Sequence, residues 1–349
     1  MDDRKRLFGV EPEEHAIGDG ETVIVGLFRK EDGPGIARLF KTVYGDGYPV
    51  RRFYSPDGLL EAHDSGESFS LTARKADGAV IGHMALFRSS PYHNLYEAGA
   101  GLVLPEYRKA GINKMLLTHL YERLAPGLGV DEVWGEAVCN HIIMQKTVGQ
   151  YKHIETGLEV DLMPAEAYEQ EKSASGRVAS VVCFRAYKSR PHTVYLPPAY
   201  ETELRFLYGA LDDRRNLEIS QEVLAPTVQT SVSTQTFEFA HVSRIGVSAL
   251  GKDFQPVFER LEQELLGHPT RVIQVWLNLA CPWVGPAVTM LRGRGYFLGG
   301  ILPRWFDDDG LLMQKIIGRP DWDGINLYSD RAKEILDLVQ ADWERVVKG

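Results

Sequence analysis

Arg108, Gly111 and Asn113 stand in the pattern R-x-x-G-x-N, between one apolar run and another of different period. Leu102, Val103 and Leu104 read as the end of a strand, and Pro105, which has no N–H for a ladder, stops it. From Ile112 onward, apolar residues recur at Met115, Leu116, Leu120 and Leu124, the spacing of one helix face. A strand that turns through glycine directly into a helix aims several backbone N–H groups at one point, where the helix dipole adds partial positive charge. Such a turn binds phosphate, and Arg108 and Lys109 add charge at its rim. The plain alternative is an ordinary strand–loop–helix connection carrying a surface arginine.

The elements needed to hold that turn can be read along the chain. Strands are expected over residues 21–28, 69–74, 79–88, 95–104, 132–138, 156–162 and 179–187, and helices over 34–44, 112–124 and 140–151. The pair 69–74 and 79–88 closes around Ala76-Asp77-Gly78. This order predicts an α/β fold (α+β in layout), a mixed sheet with helices on both faces.

At the 108–113 turn the chain resembles the GNAT superfamily of acyl-CoA-dependent N-acyltransferases, which carry [R/Q]-x-x-G-x-[G/A] at a strand-to-helix turn. Arg108 takes the first position and Gly111 the second, while Asn113 stands where glycine or alanine is usual. Asn tolerates unusual backbone angles but brings a side chain that the family pattern lacks. The resemblance implies a GNAT-like fold over residues 20–188. It also implies a pyrophosphate cradle for coenzyme A made by Arg108, Lys109, Ala110, Gly111, Ile112 and Asn113. Backbone amides at Leu102, Val103 and Leu104 would then meet the acyl carbonyl and pantetheine arm.

In this family the amine attacks the thioester directly, helped by a base, oxyanion donors and an acid for the departing thiolate. Two carboxylates are placed for the base: Glu97, five residues before Leu102, and Glu136 on the next strand. Alternation puts Glu97 on the face of Gly99, Gly101 and Val103, where two glycines leave room for a ligand. Each carboxylate also has the plainer reading of an edge or surface ion-pair partner. His141, at the opening of the following helix, is a further base candidate or a structural histidine. The family's acid is often a tyrosine four residues before a Gly-aromatic pair. Val148 occupies that place here, and Tyr151, one helical turn on, is the remaining candidate.

The remainder of the chain repeats the plan in weakened form. Val148 to Gly157, VGQYKHIETG, parallels Leu291 to Gly300, LRGRGYFLGG, and each follows a strand-plus-helix pair. Residues 245–254, IGVSALGKDF, stand where a second phosphate turn belongs and lack its pattern. The reading is two consecutive GNAT-like domains. Residues 1–190 bind acyl-CoA; residues 191–349 form a degenerate copy ending in an amphipathic helix over 329–348, capped by Ser329. An unrelated α/β domain is the alternative for the second half.

Composition sets the class. The chain has 349 residues, 44% hydrophobic and 25% charged, with a formal net charge of -9. That balance, with no Lys/Arg-rich run, argues against nucleic acid as a partner and mildly favours a cationic substrate. Cys139, Cys183 and Cys281 show neither zinc nor CxxC spacing, and point to a reducing cytoplasm. The N-terminal MDDRKRLFGV lacks the apolar core of a signal peptide. The apolar run 272–291 contains Gln274, Asn278, Pro282 and Pro286, which favours a strand and helix over a membrane span. The expected activity is acetyl transfer from acetyl-CoA to a small-molecule or peptide primary amine in a cleft between the halves, without a metal. A longer acyl or aminoacyl donor, an acyl-CoA-binding regulator without turnover, and a homodimer all stay open. The acceptor is not legible in the sequence.

Overall fold

The computed structural model describes residues 10–18, 20–45, 48, 50–168, 176–221 and 228–348. The N-terminal stretch up to Gly9, read above for targeting, lies outside them. The chain forms two compact units, Met1–Gly135 and Glu136–Gly349.

The first unit is a sheet in chain order: β1 (Glu13–Gly18), β2 (Glu21–Leu27), β3 (Ser68–Lys75), β4 (Val80–Phe87), β5 (Leu95–Val103) and the start of β6 (Glu132–Val138). Neighbours from β1 to β5 are antiparallel, and β5 and β6 are parallel. The β5–β6 register covers only Leu95–Glu97 against Glu132–Trp134, so β5 runs on from Ala98 to Val103 past that ladder. Helices α1 (Gly33–Tyr44), α2 (Pro56–Ser65) and α3 (Ile112–His119) supply the layers. Ile36, Leu39 and Phe40 of α1 bury their apolar stripe with Phe53, Val80 and Ala85. Helix α3 runs through a π-helical turn, Leu120–Leu124, into α4 (Ala125–Leu128). It seats tightly because Gly82 of β4 has no side chain: a Cβ there would stand 2.9 Å from Ile112 Cγ2.

The second unit carries α5 (Ile143–Gly149), β7 (Ile154–Pro164) and β8 (Arg177–Ala186), then the parallel pair β9 (His192–Leu196) and β10 (Arg215–Ile219), with α6 (Glu201–Tyr208) between them. It continues with β11 (Ser231–Phe237), β12 (Val242–Ala249), α7 (Phe254–Leu266), β13 (Val272–Asn278), α8 (Val284–Gly293), β14 (Phe297–Leu302), β15 (Gly310–Ile316) and α9 (Asp330–Lys348). Its sheet runs β8-β7-β14-β15-β13-β12-β11. The run 272–291 is thus a buried strand and a core helix. Among the described residues no helix is long and apolar enough to cross a membrane. Ser329 caps α9 as expected, accepting the Ala332 N–H at 2.9 Å.

The connectivity appears twice. An antiparallel pair, a helix, a parallel strand, a second helix and a second antiparallel pair run as β4-β5-α3-β6-α5-β7-β8, and again as β11-β12-α7-β13-α8-β14-β15. The parallel pairs differ. β12 and β13 are matched over six positions, Val242–Val247 against Val272–Leu277, where β5 and β6 match over three. The compact units part within β6, and in the second unit β7 takes β14 as a neighbour.

Candidate active site

The turn is built as its residue types demand. Tyr107 N–H donates to the Leu104 carbonyl, Arg108 N–H to Pro105 and Ala110 N–H to Tyr107, winding the segment tightly. Gly111 then takes φ +78°, ψ 5°, the left-handed conformation that costs glycine nothing. The first i→i−4 bond of α3 is Met115 N–H to the Gly111 carbonyl, so the amides of Ile112 and Asn113 come before the helix ladder begins. Arg108, Lys109 and Gly111 are exposed; Ile112 is fully buried and anchors the helix start. Lys75 braces the turn from behind, bonding Tyr107 Oη at 3.2 Å and Glu21 at 3.0 Å. These residues fit a pyrophosphate group: exposed cations, a glycine without a side chain, and amides at a helix start. Ala110 N–H is already committed inside the turn, which leaves its role to shape.

Strand β5 departs from the expectation of a plain strand end. Its partners on β4 step from Ala85↔Gly99 to His83↔Leu102, so Ala100 and Gly101 together face Met84 as a β-bulge. Ala100 stands at φ +53°. Leu102 and Val103 remain opposite His83 and Gly82, and the Leu104 N–H donates to the Ile81 carbonyl at 2.9 Å. The Leu104 amide is therefore spent on the sheet and is not a donor for a ligand. The bulge residues, not picked out from sequence, are the ones that leave the β4 ladder. The run Gly99-Ala100-Gly101 was the available signal.

Glu97 is half-buried on β5, opposite Phe87. Its Oε1 lies 3.6 Å from where a Cβ on Gly99 would stand, which puts the two on one face as alternation requires. The expected empty space beside the glycines is largely taken. The Phe87 ring comes within 3.1 Å of a Gly99 Cβ position, and Met84 covers Gly101. The glycines admit these two side chains rather than leaving a groove. Asn113 Oδ1 is 3.9 Å from the Gly101 Cβ position, so the first turn of α3 borders the bulge.

Glu136, Tyr151 and His141 belong to the second unit. Glu136 Oε1 accepts from Arg244 at 2.9 Å, and the same guanidinium nitrogen reaches Glu159 at 3.2 Å. Gln274 joins the group, accepting from Arg244 Nε at 2.7 Å and donating to Glu159 at 2.7 Å. Glu159 is 2% exposed, and its Oε2 has no hydrogen-bond partner. Burial first, then the Glu136 charge, push its carboxyl well above the usual range against the pull of Arg244. Tyr151 is buried, following α5. His141 is half-buried ahead of α5, where its carbonyl accepts from Gln145 at 3.4 Å. The Gly295-Tyr296 pair is structural: Tyr296 is buried and donates to Glu262 at 3.1 Å.

Residues 34–142 match the model of the acetyltransferase (GNAT) family. That span contains α1 through β6, and with them the bulge and the turn. Among solved structures, the chain is similar to a ribosomal-protein-S5-alanine acetyltransferase from Vibrio fischeri: 13% identity, 50% of this chain, 96% of that one, TM-score 0.40. It is also similar to the ribosomal-protein-S18-alanine N-acetyltransferase from Escherichia coli, at 12% identity, 48% and 96% coverage and TM-score 0.38. An N-acetyltransferase from Staphylococcus aureus Mu50 gives 15% identity, 48% and 99% coverage and TM-score 0.39. At such scores these structures add nothing to the assignment. No curated protein matches the sequence. The residues of the 108–113 turn and the strand beside it thus lie within the matched segment, and the chain carries a domain of the acetyltransferase (GNAT) family over residues 34–142.

Proposed function

We propose that the protein is an acyl-CoA-dependent N-acyltransferase that moves an acetyl group from acetyl-CoA to a primary amine. The observation that carries this reading is Gly111 at φ +78°, capping α3 between the exposed Arg108 and Lys109 and the early helix amides. Acetyl-CoA supplies the activated thioester. Arg108, Lys109, Gly111, Ile112 and Asn113 hold its pyrophosphate, the last two through backbone N–H groups. The bulge at Ala100–Gly101 and the strand end at Leu102–Val103 border the acyl end. Glu97, on the same strand, accepts the proton of the attacking ammonium group, directly or through one water. Glu136, already paired with Arg244, is the second candidate for that role. The free thiols at Cys139, Cys183 and Cys281 fit a cytoplasmic location.

A second reading, an acyl-CoA-binding module without turnover, is favoured by Val148 at the family's tyrosine position and by the burial of Tyr151. Thiol release from acetyl-CoA with a panel of primary amines separates the two. Amine-dependent release supports the transferase, and CoA binding without release supports the module.

A further inference from the structure

Beneath the β5 bulge lies a histidine that the proposed chemistry does not use. His83, on β4, is fully buried. Its Nδ1 is 2.8 Å from the Ala100 carbonyl oxygen and its Nε2 is 2.9 Å from Ser70 Oγ. A carbonyl oxygen only accepts, so Nδ1 carries the proton; Nε2 then accepts from the Ser70 hydroxyl. The rings of Phe40 and Phe53 stand edge-on at 5.4 and 5.3 Å. The Asp32 carboxylate, itself bonded to Arg74 at 2.6 Å, acts on the imidazole through its charge. Burial pulls the imidazole down to about 4, against the Ala100 bond and the Asp32 charge, so the ring stays neutral across the physiological range.

Ala100 needs such a partner. A non-glycine residue in the left-handed region costs about 1–2 kcal/mol, and the bulge takes its carbonyl out of the regular ladder. Without a donor to that carbonyl's lone pair, the bulge gains by slipping back into register. A one-residue slip would turn Leu102 and Val103 to the opposite face and break the Leu104–Ile81 bond that leads into the phosphate turn. The spacing between Glu97 and Gly111 therefore depends on one buried hydrogen bond.

Resting on the acyl-CoA reading above, we propose that His83 is a positioning residue. Its Nδ1–H, fixed by Ser70, locks the Ala100–Gly101 bulge so that the backbone there donates to the acyl carbonyl. His83 touches no substrate and transfers no proton. Its effect is exerted through the backbone of β5.

The test uses the full chain with His83→Leu and His83→Asn. Asn places an N–H where Nδ1 stands and restores the bond to Ala100; Leu does not. The reporter is the carbonyl resonance of [1-13C]acetyl-CoA, which moves downfield when the oxygen accepts a hydrogen bond. CoA affinity by calorimetry is the control. We expect a downfield shift on binding to the unsubstituted protein, its loss in His83→Leu with the CoA dissociation constant changed less than about threefold, and its return in His83→Asn. Turnover, where measured, should fall about tenfold in His83→Leu, a fraction of the 10²–10³ lost with a whole oxyanion donor. Three results overturn the proposal: no downfield shift on the unsubstituted protein, a shift retained in His83→Leu, or equal loss of CoA binding in both variants. Absence of CoA binding to the unsubstituted protein overturns the proposed function, and the role of His83 with it.

Discussion

Gly157 and Gly300 face each other as the register pair that joins β7 to β14. They are the last residues of the segments VGQYKHIETG and LRGRGYFLGG, whose ends therefore meet in the sheet of the second unit. Neither has room for a side chain. A Cβ on Gly157 would stand 2.7 Å from the Gly299 carbonyl oxygen, and one on Gly300 would overlap the Gly157 Cα.

Substitution at this pair should be costly. Gly300 also stands at φ +145°, where an L side chain is strained. Gly300→Ala is expected to lower unfolding free energy by ~2–4 kcal/mol, from overpacking and backbone strain together. Gly149→Ala, at the end of α5 with nothing within 4 Å of its Cβ position, should be near neutral. Urea unfolding of the two variants checks this, and equal effects would deny the close contact its role.

CoA should bind once per chain, because residues 245–254, between β12 and α7, have no R-x-x-G turn and the β12–β13 pair is matched over six positions. Calorimetric stoichiometry near one is expected; two would refute the loss of the second site. Gly111→Val should abolish binding, since a β-branched residue resists φ +78° and its methyls would crowd the amides. Circular dichroism would confirm that the fold persists.

Glu97→Gln keeps the shape beside Gly99 and removes the base. CoA affinity should be unchanged while kcat/KM falls by roughly 10²-fold. Should Glu136→Gln lose activity while Glu97→Gln keeps it, the proton acceptor is Glu136.

Glu159→Gln should stabilise the protein at alkaline pH. The raised carboxyl keeps its proton in the folded state above the pH where the unfolded chain releases it. Folding of the natural protein is then linked to proton uptake. Its stability should fall, relative to Glu159→Gln, by up to ~1.4 kcal/mol per pH unit from about pH 5 upward. The amide of Gln keeps the shape without the ionisation. Chemical denaturation at pH 5, 7 and 9 gives the comparison, and a variant uniformly less stable would mean that Glu159 is ionised against Arg244.

The turn was legible because its signals are local: an apolar strand end, Pro105, Gly111 and helical spacing from Ile112 follow within a few residues. The amphipathic C-terminal helix and its Ser329 cap were legible for the same reason. β11 was not, since SVSTQTF is mostly exposed and presents no apolar alternation. Nor was the β5 bulge, because register is a property of two strands and Gly99-Ala100-Gly101 names no partner. The surroundings of Glu136 depend on Glu159, Arg244 and Gln274, residues distant in sequence that only the folded sheet assembles. Glu97 and Gly99 do share a face, filled by Phe87, but the bulge breaks the expected alternation beyond them: Gly101 meets Met84 and Val103 pairs with Gly82, both on the other face of the neighbouring strand.

The unequal ladders give the protein an internal reference for hydrogen exchange. Amides of β12 lie between β11 and β13 along most of their length, and should exchange slowly whether or not CoA is present. Beyond Glu97, β5 has outrun its register with β6, and its amides should exchange faster until a ligand lies along them. One chain therefore carries both the responsive strand and its silent counterpart, so that ligand protection can be read as a ratio within a single spectrum.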